Sequence, residues 1–503
     1  MNRTQKFALN SLATAVSQIV VMISGLITPR LMIATYGSEV NGLVSSLNQF
    51  ISYIALVEAG IGGAAVFSLY KPLAENNHGH IGRIVSAANK SYRQAGYLFS
   101  SGIFLLALIY GLVCSTETVR FEFIFPLALI LGINGCLDFF LVAGKRALLT
   151  ADQRTYINSA VGMLQTVLRT GLIILLALRK TNVVLLYAIA TVPMLLKVLL
   201  IALYCRKKYP YLDSKAKPDR EALNKRWDVI YQQILGTIQM GAPTIIATIL
   251  LDFLQVSVYS VYNMVMTGIN GVLSIFISGL PAGFGELIAK DERDILKKTV
   301  SEFEVAYYYI LSVVYGVTMA MILPFVDVYT QGVTDVDYFH PVLAVVIVLN
   351  GLLYNIKTPQ SMLIISAGMY KETRMRVTIQ GIVIIVCSII LGIPFGLVGI
   401  MLGSCISNLY RTVDLLTFTP KYITQISPWQ SVRRMVIVLV NVVAVSLPAL
   451  FIEICAMNYL TWALYAVGFG IYALIVVTAT TALWDREGLM SLILRAKNIV
   501  NKN

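Results

Sequence analysis

Five basic residues stand within apolar stretches of the sequence, where a charged side chain is costly. They are Arg30, Arg169, Lys197, Lys357 and Arg411. A charge in the middle of a bilayer costs at least ~2.5–3.5 kcal/mol on insertion scales, so such residues usually face protein or a water-filled cavity. We predict that these cations contact a substrate inside a cavity. The competing interpretation is that they form structural ion pairs or extend to the membrane surface.

Four acidic residues in similar surroundings could balance these cations or bind a coupling ion. They are Glu58, Asp138, Asp252 and Asp414. Asp414 follows Arg411 by three residues, which is the spacing of neighbours on one helix face. A local ion pair could therefore explain both residues without a substrate.

Polar and aromatic residues recur at helical spacing within the same apolar stretches and predict inward-facing stripes. Those assigned to the cavity wall are Asn48, Ser52, Gln165, Tyr259, Asn263, Asn270, Asn350, Tyr354 and Asn408. The alternative is that such side chains only join neighbouring helices, with bonds worth about 0.6–2 kcal/mol each.

The sequence contains no pattern typical of an enzyme or of a cofactor site. Its six cysteines have no paired metal-type spacing, and its three histidines cannot form a metal site alone. A Ser/His/Asp set and a glycine-rich phosphate loop are also missing from the loops. We therefore expect no metal, no cofactor and no enzymatic activity.

The elements that position these residues are membrane spans. Of the 503 residues, 57% are hydrophobic and only 13% are charged, and the mean hydropathy is +0.76. Soluble domains are about 25% charged, so we predict an all-α polytopic membrane protein. Fourteen stretches are long enough to span a bilayer: 8–35, 41–69, 94–114, 123–145, 156–178, 183–205, 230–252, 259–288, 303–326, 339–366, 377–394, 397–420, 434–453 and 459–482.

The distribution of basic residues predicts the orientation of the chain. Of the 39 Lys and Arg residues, 31 fall in segments that lie inside if the N-terminus is inside, three fall outside and five lie within spans. Basic residues concentrate in cytoplasmic loops, so we predict that both termini are cytoplasmic. The net charge of +13 is then mainly a topology signal, and a nucleic-acid partner is not needed to explain it.

An internal repeat predicts two similar halves. Offsets of 223, 216 and 214 residues align Tyr36 with Tyr259, Asn134 with Asn350 and Lys197 with Arg411. Six spans separate the copies, so the halves have parallel topology, as in one known plan of transporters. We predict an N-terminal six-helix lobe (1–208), a cytoplasmic linker (209–229), a C-terminal six-helix lobe (230–425), two peripheral helices (426–484) and a basic cytoplasmic tail (485–503).

Three segments resemble bacterial polysaccharide-export flippases of the O-antigen, capsule or teichoic type. They are YGSEVNGLVSSLNQFISYIALVEAGIGGAAVFSLYKPLA (36–74), IGRIVSAANKSY (81–92) and VSVYSVYNMVMTGINGVLSIFISGLPAGFGELIA (256–289). These flippases form the polysaccharide transporter branch of the multidrug/oligosaccharidyl-lipid/polysaccharide exporter superfamily. The likeness extends over about residues 5–480.

The resemblance implies a function and a location. It implies two six-span lobes, alternating access in the bacterial cytoplasmic membrane, and a polyprenyl-pyrophosphate-linked oligosaccharide as cargo. Related flippases carry a cavity arginine in the first span, and Arg30 matches it by position. Lipid II flippases also have a cavity arginine in the eighth span, whereas none stands between Val256 and Ala289. We therefore expect a cargo other than lipid II.

Combining the residues with the resemblance, we expect the five cations to meet the pyrophosphate and any acidic sugars. The polar stripes would meet sugar hydroxyls, and the polyprenyl tail would remain in the bilayer. The membrane potential could drive the flip, since it is worth ~2.3 kcal/mol per charge per 100 mV. Coupling to H⁺ or Na⁺ through Glu58 or Asp138 is the alternative. We expect a monomer.

Three other functions compete with this one. A drug or cation antiporter of the same fold predicts a cavity dominated by carboxylates. A membrane-embedded polymerase or glycosyltransferase predicts large outer loops with catalytic residues, whereas the longest outer segment, about 327–340, contains no Lys or Arg. A scaffold without transport activity leaves the charges within the spans unexplained.

Overall fold

The computed structural model describes residues 3–116, 119–212, 227–277, 280–452, 454 and 458–490. Within these residues the chain forms helices and no β-strand, as predicted. It divides into two compact units, Met1–Ile245 and Ile246–Asn503. Most of the predicted linker (209–229) and most of the predicted tail (485–503) lie outside the described residues.

The first unit contains nine helices before the undescribed segment and most of a tenth after it. They are α1 (Arg3–Tyr36), α2 (Ser38–Ile54), α3 (Ile61–Ala74), α4 (His78–Val113), α5 (Phe121–Leu137), α6 (Ala143–Ala151), α7 (Thr155–Leu178), α8 (Val183–Ala190), α9 (Val192–Lys208) and α10 (Trp227–Leu250). A 3₁₀ turn, Ala55–Glu58, follows α2, and a π-helical turn, Asp138–Val142, joins α5 to α6.

Among the described residues, the second unit contains the end of α10 and eight further helices. Its helices are α11 (Phe253–Ile277), α12 (Leu280–Ala289), α13 (Arg293–Thr330), α14 (Pro341–Ile356), α15 (Thr358–Ala367), α16 (Tyr370–Thr419), α17 (Pro428–Ser446) and α18 (Tyr459–Trp484). A π-helical turn, Pro420–Thr424, ends the α16 segment.

The described residues contain thirteen helical segments that are long and apolar enough to cross a membrane. One of them, Tyr370–Thr424, contains two helices, because Gly396 has a φ of +57° and a ψ of −137°. Glycine adopts this region without the steric cost that a side chain would add. Counting both parts of α16 gives the fourteen predicted spans.

The two parts of α16 fold back on each other at very close range. A Cβ on Gly403 would lie 2.3 Å from the backbone nitrogen of Ser388, and a Cβ on Gly399 would lie 1.8 Å from the carbonyl oxygen of Leu391. The Ser388 hydroxyl donates to the Ile400 carbonyl oxygen at 2.8 Å. Glycines on the facing surface therefore permit a tight helical hairpin.

Spans at equivalent positions of the predicted repeat have similar lengths and interruptions. The third and ninth spans are the long helices α4 and α13, of 36 and 38 residues. The fourth span is interrupted at 138–142 and the tenth at Lys357. These two interruptions coincide when the sequence is shifted by the 216 residues of the repeat.

The last two helices pack against α13 through buried polar contacts. The Arg434 guanidinium on α17 lies 3.1 Å from the Glu304 carboxylate on α13 and 2.8 Å from Asp485, just after α18. Ser431 and Gln360 also donate to Glu304, at 2.7 and 2.8 Å. The sequence analysis assigned these helices only as peripheral and did not predict this network.

Candidate functional site

The second unit contains a buried cation at the single residue between α14 and α15. Lys357 is 7% exposed, and its ammonium group donates to the side-chain oxygen of Asn408. The same ammonium lies 4.7 Å from the centroid of the Tyr354 ring, and Asn408 donates to Asn350 at 2.9 Å. The structure thus brings together four predicted site residues from α14 and α16.

Lys357 is held by neutral groups. Within the described chain, no carboxylate oxygen lies within 4.0 Å of its ammonium nitrogen. A buried ammonium normally needs a paired charge or a full set of hydrogen-bond acceptors. An amide oxygen and a ring face leave donor capacity for a bound anion, so this group is suited to contact a phosphate.

Arg411 lies one helical turn beyond Asn408 on the same helix and is also buried. Its guanidinium is 2.5 Å from the carboxylate of Asp414, and Arg376 donates to the other oxygen of that carboxylate. Two arginines thus share one acid, as the spacing of Arg411 and Asp414 suggested in part. Two arginines and one carboxylate leave a positive balance among the described residues of this part of the unit.

A second polar cluster in this unit centres on a residue that the sequence analysis missed. Asn355 is 4% exposed and donates to Asn270 at 2.7 Å and to the Tyr315 hydroxyl at 2.8 Å. Only Asn270 of these was predicted as a site residue. Asn355 lies five residues beyond Asn350, off the stripe used for the prediction, so helical periodicity alone could not find it.

The remaining predicted residues of this unit are more dispersed. Tyr259 is 3% exposed and lies in the packed interior, whereas Asn263 is half-buried and its carbonyl oxygen accepts from Thr267 at 2.9 Å. Asp252 is exposed and caps the start of α11, since its carboxylate accepts from the Gln255 backbone nitrogen at 2.8 Å. Helix capping gives a sufficient structural reason for Asp252.

The first unit contains a charge cluster around Arg146, a residue that the sequence analysis did not select as a site residue. Arg146 on α6 lies 2.7 Å from Asp138 and 3.3 Å from Glu58. Lys197 on α9 lies 3.9 Å from the other oxygen of Asp138. Two acids thus face two bases, and Lys197, Asp138 and Glu58 have partners within their own unit.

Arg146 was missed because it stands near the end of an apolar stretch, where basic residues commonly mark topology. A possible signal was its place eight residues after Asp138, about two helical turns along the same face. The π-helical turn at Asp138–Val142 lies between them. Such turns within helices occur frequently at functional sites.

Arg30 and Arg169 lie on two helices of the first unit, α1 and α7, that pack against each other. Both side chains are half-buried, and the Nε atom of Arg169 has no hydrogen-bond partner among the described residues. Gln165 lies one turn before Arg169 and is half-buried as well. These helices therefore carry two further half-buried cations of the first unit, in addition to the charge cluster around Arg146.

Asn48 and Ser52 are exposed on α2, and the Ser52 hydroxyl donates to the Asn48 carbonyl oxygen at 2.8 Å. Their helix is joined to α10 by Tyr53, whose hydroxyl donates to the Ile238 carbonyl oxygen at 2.9 Å. Gly241 faces the Gln49 side chain, since a Cβ there would lie 2.1 Å from its nitrogen. The polar face of α2 is therefore partly covered and partly open.

Comparison with solved structures identifies the fold. A lipid II flippase, MurJ, in an inward closed conformation matches with a TM-score of 0.64 at 15% identity, over 95% of this chain and 99% of that one. An inward-facing multidrug resistance MATE transporter matches with a TM-score of 0.61 at 14% identity, over 81% and 99%. A transporter from Pyrococcus furiosus, described as having a binding pocket of reverse polarity, matches with a TM-score of 0.54 at 13% identity, over 84% and 96%.

All three belong by description or fold to the MOP superfamily of transporters. Neither a family model nor a curated protein matches the sequence. At these identities the likeness concerns the fold, and the structural neighbours are transporters and flippases rather than enzymes. The chain is therefore a multi-pass membrane protein with the fold of the MOP superfamily transporters.

Proposed function

We propose that this protein moves a polyprenyl-pyrophosphate-linked oligosaccharide from the inner to the outer leaflet of the bacterial cytoplasmic membrane by alternating access. In this proposal the cargo serves the synthesis of a surface polysaccharide, and both termini are cytoplasmic. The observation that carries it is the buried ammonium of Lys357, which neutral groups hold among the described residues.

The charges nearest Lys357 support an anionic cargo over a cationic drug. Arg411 and Arg376 share the single carboxylate of Asp414, so the described ionisable groups of this patch leave a positive surplus. A cationic drug would be repelled there, whereas a pyrophosphate would be attracted. The resemblance of the sequence to polysaccharide-export flippases agrees with this choice, whereas the fold is shared by a lipid II flippase and by multidrug transporters alike.

The proposed contacts divide between the two units. In the second unit, Lys357 and Arg411 would bind the pyrophosphate. In the first unit, Arg30 and Arg169 are the candidates for contact with acidic groups of the cargo. Asn350, Asn408 and Tyr354 would contact sugar rings or position Lys357. Lys197 is already close to Asp138, so it is the weakest of the five predicted cations.

Replacing single cations tests the proposal in cells that depend on this chain for surface polysaccharide. We expect Arg30→Ala, Lys357→Ala and Arg411→Ala to reduce export strongly while the protein still inserts into the membrane. Loss of one hydrogen bond to a charged group costs about 1.5–3 kcal/mol. This energy corresponds to a roughly 10–100-fold loss of affinity for the cargo. Surface glycan labelling and the amount of protein in the membrane fraction are the readouts.

Two further variants complete the experiment. Lys357→Arg keeps the charge and should retain more export than Lys357→Ala. Lys298→Ala removes an exposed cation near the start of α13 and should export normally. Full export by all three alanine variants would refute the cationic site.

A further inference from the structure

The first unit contains a second cationic site, separate from the residues assigned to cargo. A cavity of about 800 Å³ opens between α4, α6, α9 and the segment that follows α9. Four basic residues line it: Lys90, Arg93, Lys145 and Arg206. We call this cavity the inner basic pocket, because the sequence places all four residues on the cytoplasmic side.

Among the described residues that line it, the inner basic pocket has positive charge and no balancing acid. None of its described lining residues carries a carboxylate, and Lys145 and Arg206 are close enough to repel each other. A nearby acid, Asp152, is occupied, since Arg154 donates to it at 2.6 Å and Tyr209 at 2.7 Å. Four like charges around one cavity favour an anionic ligand.

The Asp152 contacts also fix one wall of the pocket. Burial of the Tyr209 hydroxyl and its hydrogen bond to Asp152 both raise the pKa of Tyr209 above its ordinary value. Tyr209 therefore remains a neutral hydrogen-bond donor and adds no negative charge to the cavity that it lines. Of the four cations, Lys145 also donates to the Leu141 carbonyl oxygen at 2.7 Å, which holds its ammonium group at the pocket.

The pocket lies where the lipid-facing surface of the unit begins. Helix α4 has 36 residues and is about 54 Å long, which exceeds the ~30 Å hydrocarbon core of a bilayer. Its exposed apolar residues begin at Tyr97 and Leu98, each 60% exposed, only one turn beyond Arg93. On α9, Leu199 and Leu203 are 53% and 51% exposed and come just before Arg206.

A tyrosine at the border between apolar and basic surface is typical of the membrane–water interface. Tyr97 lines the pocket itself and packs edge to face against Phe140, with ring centroids 5.2 Å apart. Asn89 supplies a further polar group, held over α6 because Gly144 lacks a side chain: a Cβ there would lie 1.9 Å from the Asn89 oxygen. The cavity therefore combines cations, polar groups and an adjoining apolar surface.

We propose that the inner basic pocket binds the phosphate headgroup of an anionic membrane lipid in the inner leaflet. The four cations hold the phosphate, and the acyl chains lie against the exposed apolar residues of α4 and α9. Soluble inorganic phosphate shares the charge but could not use the apolar surface. This site does not depend on the cargo assigned above.

Lipid binding to the purified full-length protein tests the proposal. Native mass spectrometry would count bound phosphatidylglycerol during a titration, for the wild type and for the triple variant Lys90→Ala, Arg93→Ala, Arg206→Ala. Basic residues near a membrane surface contribute about 1 kcal/mol each to anionic lipid binding, so we expect affinity to fall roughly 100-fold. The matched control, Arg83→Ala, Lys207→Ala, Lys208→Ala, removes three exposed cations of the same helices that do not line the cavity and should bind normally.

Measurements on the wild type keep the proposal testable if the triple variant folds poorly. Phosphatidylglycerol should bind at least tenfold more tightly than phosphatidylcholine, and high salt should weaken it because salt screens exposed charges. Equal binding of the two lipids would overturn the proposal. So would equal loss of binding in both triple variants, or displacement of phosphatidylglycerol by equimolar inorganic phosphate.

Discussion

At the scale of single residues, Lys357 and Arg411 differ in how their charges are held. Arg411 has a carboxylate at 2.5 Å, whereas the described partners of Lys357 are an amide oxygen and a tyrosine ring. A buried charge without a counter-charge is expensive, and this cost suggests that the side chain serves a purpose other than stability. Lys357 is therefore the residue on which the anionic-cargo hypothesis depends most.

Converting Asn408 to Asp would separate the charge of Lys357 from its structural role. The new carboxylate would pair with the ammonium, and this pair should offset the lost hydrogen bond from Asn408 to Asn350. We therefore expect the protein to unfold at about the same temperature as the wild type. The pair would neutralise the cation, and we expect flipping to fall roughly 10–100-fold, as for the loss of a charged hydrogen bond. Thermal unfolding and a flipping assay on the same preparation are the measurements.

A matched control makes the same chemical change away from any lysine. Asn458 caps the start of α18, where its side chain accepts from the Thr461 backbone nitrogen at 2.9 Å. Asp is an equally good capping residue, so Asn458→Asp should leave both stability and flipping unchanged. Normal flipping by Asn408→Asp would show that the cargo does not use the charge of Lys357.

Single residues also show the limit of prediction from sequence at this scale. The cost of a charge within an apolar stretch identified Lys357, Arg411 and Asp138, because a bilayer penalises such residues wherever they stand. It did not identify Arg146 or Asn355, which have partners 88 and 85 residues away in the chain, although Arg146 also pairs with Asp138, eight residues before it. Long-range pairing follows from packing, which helical periodicity does not encode.

At the scale of elements, the ends of helices were harder to predict than their existence. The third and ninth spans were predicted as 94–114 and 303–326, but α4 begins at His78 and α13 extends from Arg293 to Thr330. Hydropathy identifies the part of a helix that crosses the hydrocarbon core. Hydropathy carries no information on how far the helix continues into polar surroundings. There the end of a helix depends on capping, as at α4, where the Asn77 side chain accepts from the His80 backbone nitrogen.

The Arg434–Glu304 pair should contribute strongly to the attachment of α17 to α13. Both side chains are under 10% exposed, at 8% and 6%. Removing one partner of a buried pair leaves an uncompensated charge and typically costs 3–5 kcal/mol, so we expect Arg434→Met to be destabilised by about this amount. Thermal unfolding in detergent would measure the loss.

Two companion variants make the interpretation specific. Glu304→Gln combined with Arg434→Met removes both charges and keeps an acceptor for Ser431 and Gln360, so it should recover part of the lost stability. Arg433→Met removes the neighbouring exposed arginine and should have a much smaller effect. Equal destabilisation by Arg433→Met and Arg434→Met would contradict a special role for the buried pair.

At the scale of the whole molecule, the repeat and the fourteen spans could be predicted because both leave signals that extend over the chain. Apolar length predicted the spans, and a nearly constant offset predicted two equivalent halves. The structure adds that the halves share interruptions, at Asp138–Val142 in one and Lys357 in the other. The two equivalent interruptions differ in chemistry. The one in the first half contains Asp138, which pairs with Arg146 and Lys197, and the one in the second half contains Lys357.

This difference bears on how transport is driven. Glu58 and Asp138 have basic partners in Arg146 and Lys197, so a dedicated coupling ion is not required to explain them. Moving an anionic headgroup outward is assisted by an inside-negative potential, at ~2.3 kcal/mol per charge per 100 mV. We expect flipping in proteoliposomes to accelerate when such a potential is imposed with a potassium gradient and valinomycin.

The control for that prediction varies the ions and keeps the potential constant. Replacing Na⁺ or removing the pH gradient should leave the rate unchanged. If collapse of the potential has no effect and removal of an ion gradient abolishes flipping, the protein is an ion-coupled antiporter. Glu58 or Asp138 would then be the first residues to replace.

The central claim is that this chain flips a pyrophosphate-linked lipid through a site that requires Lys357. The most direct measurement is flipping of a fluorescent polyprenyl-pyrophosphate oligosaccharide by the purified protein in proteoliposomes, read from its accessibility to a membrane-impermeant quencher. The account predicts that wild-type protein accelerates flipping over protein-free vesicles and that Lys357→Ala is roughly tenfold slower or worse. No acceleration by the wild type, or equal rates for the two proteins, would contradict it.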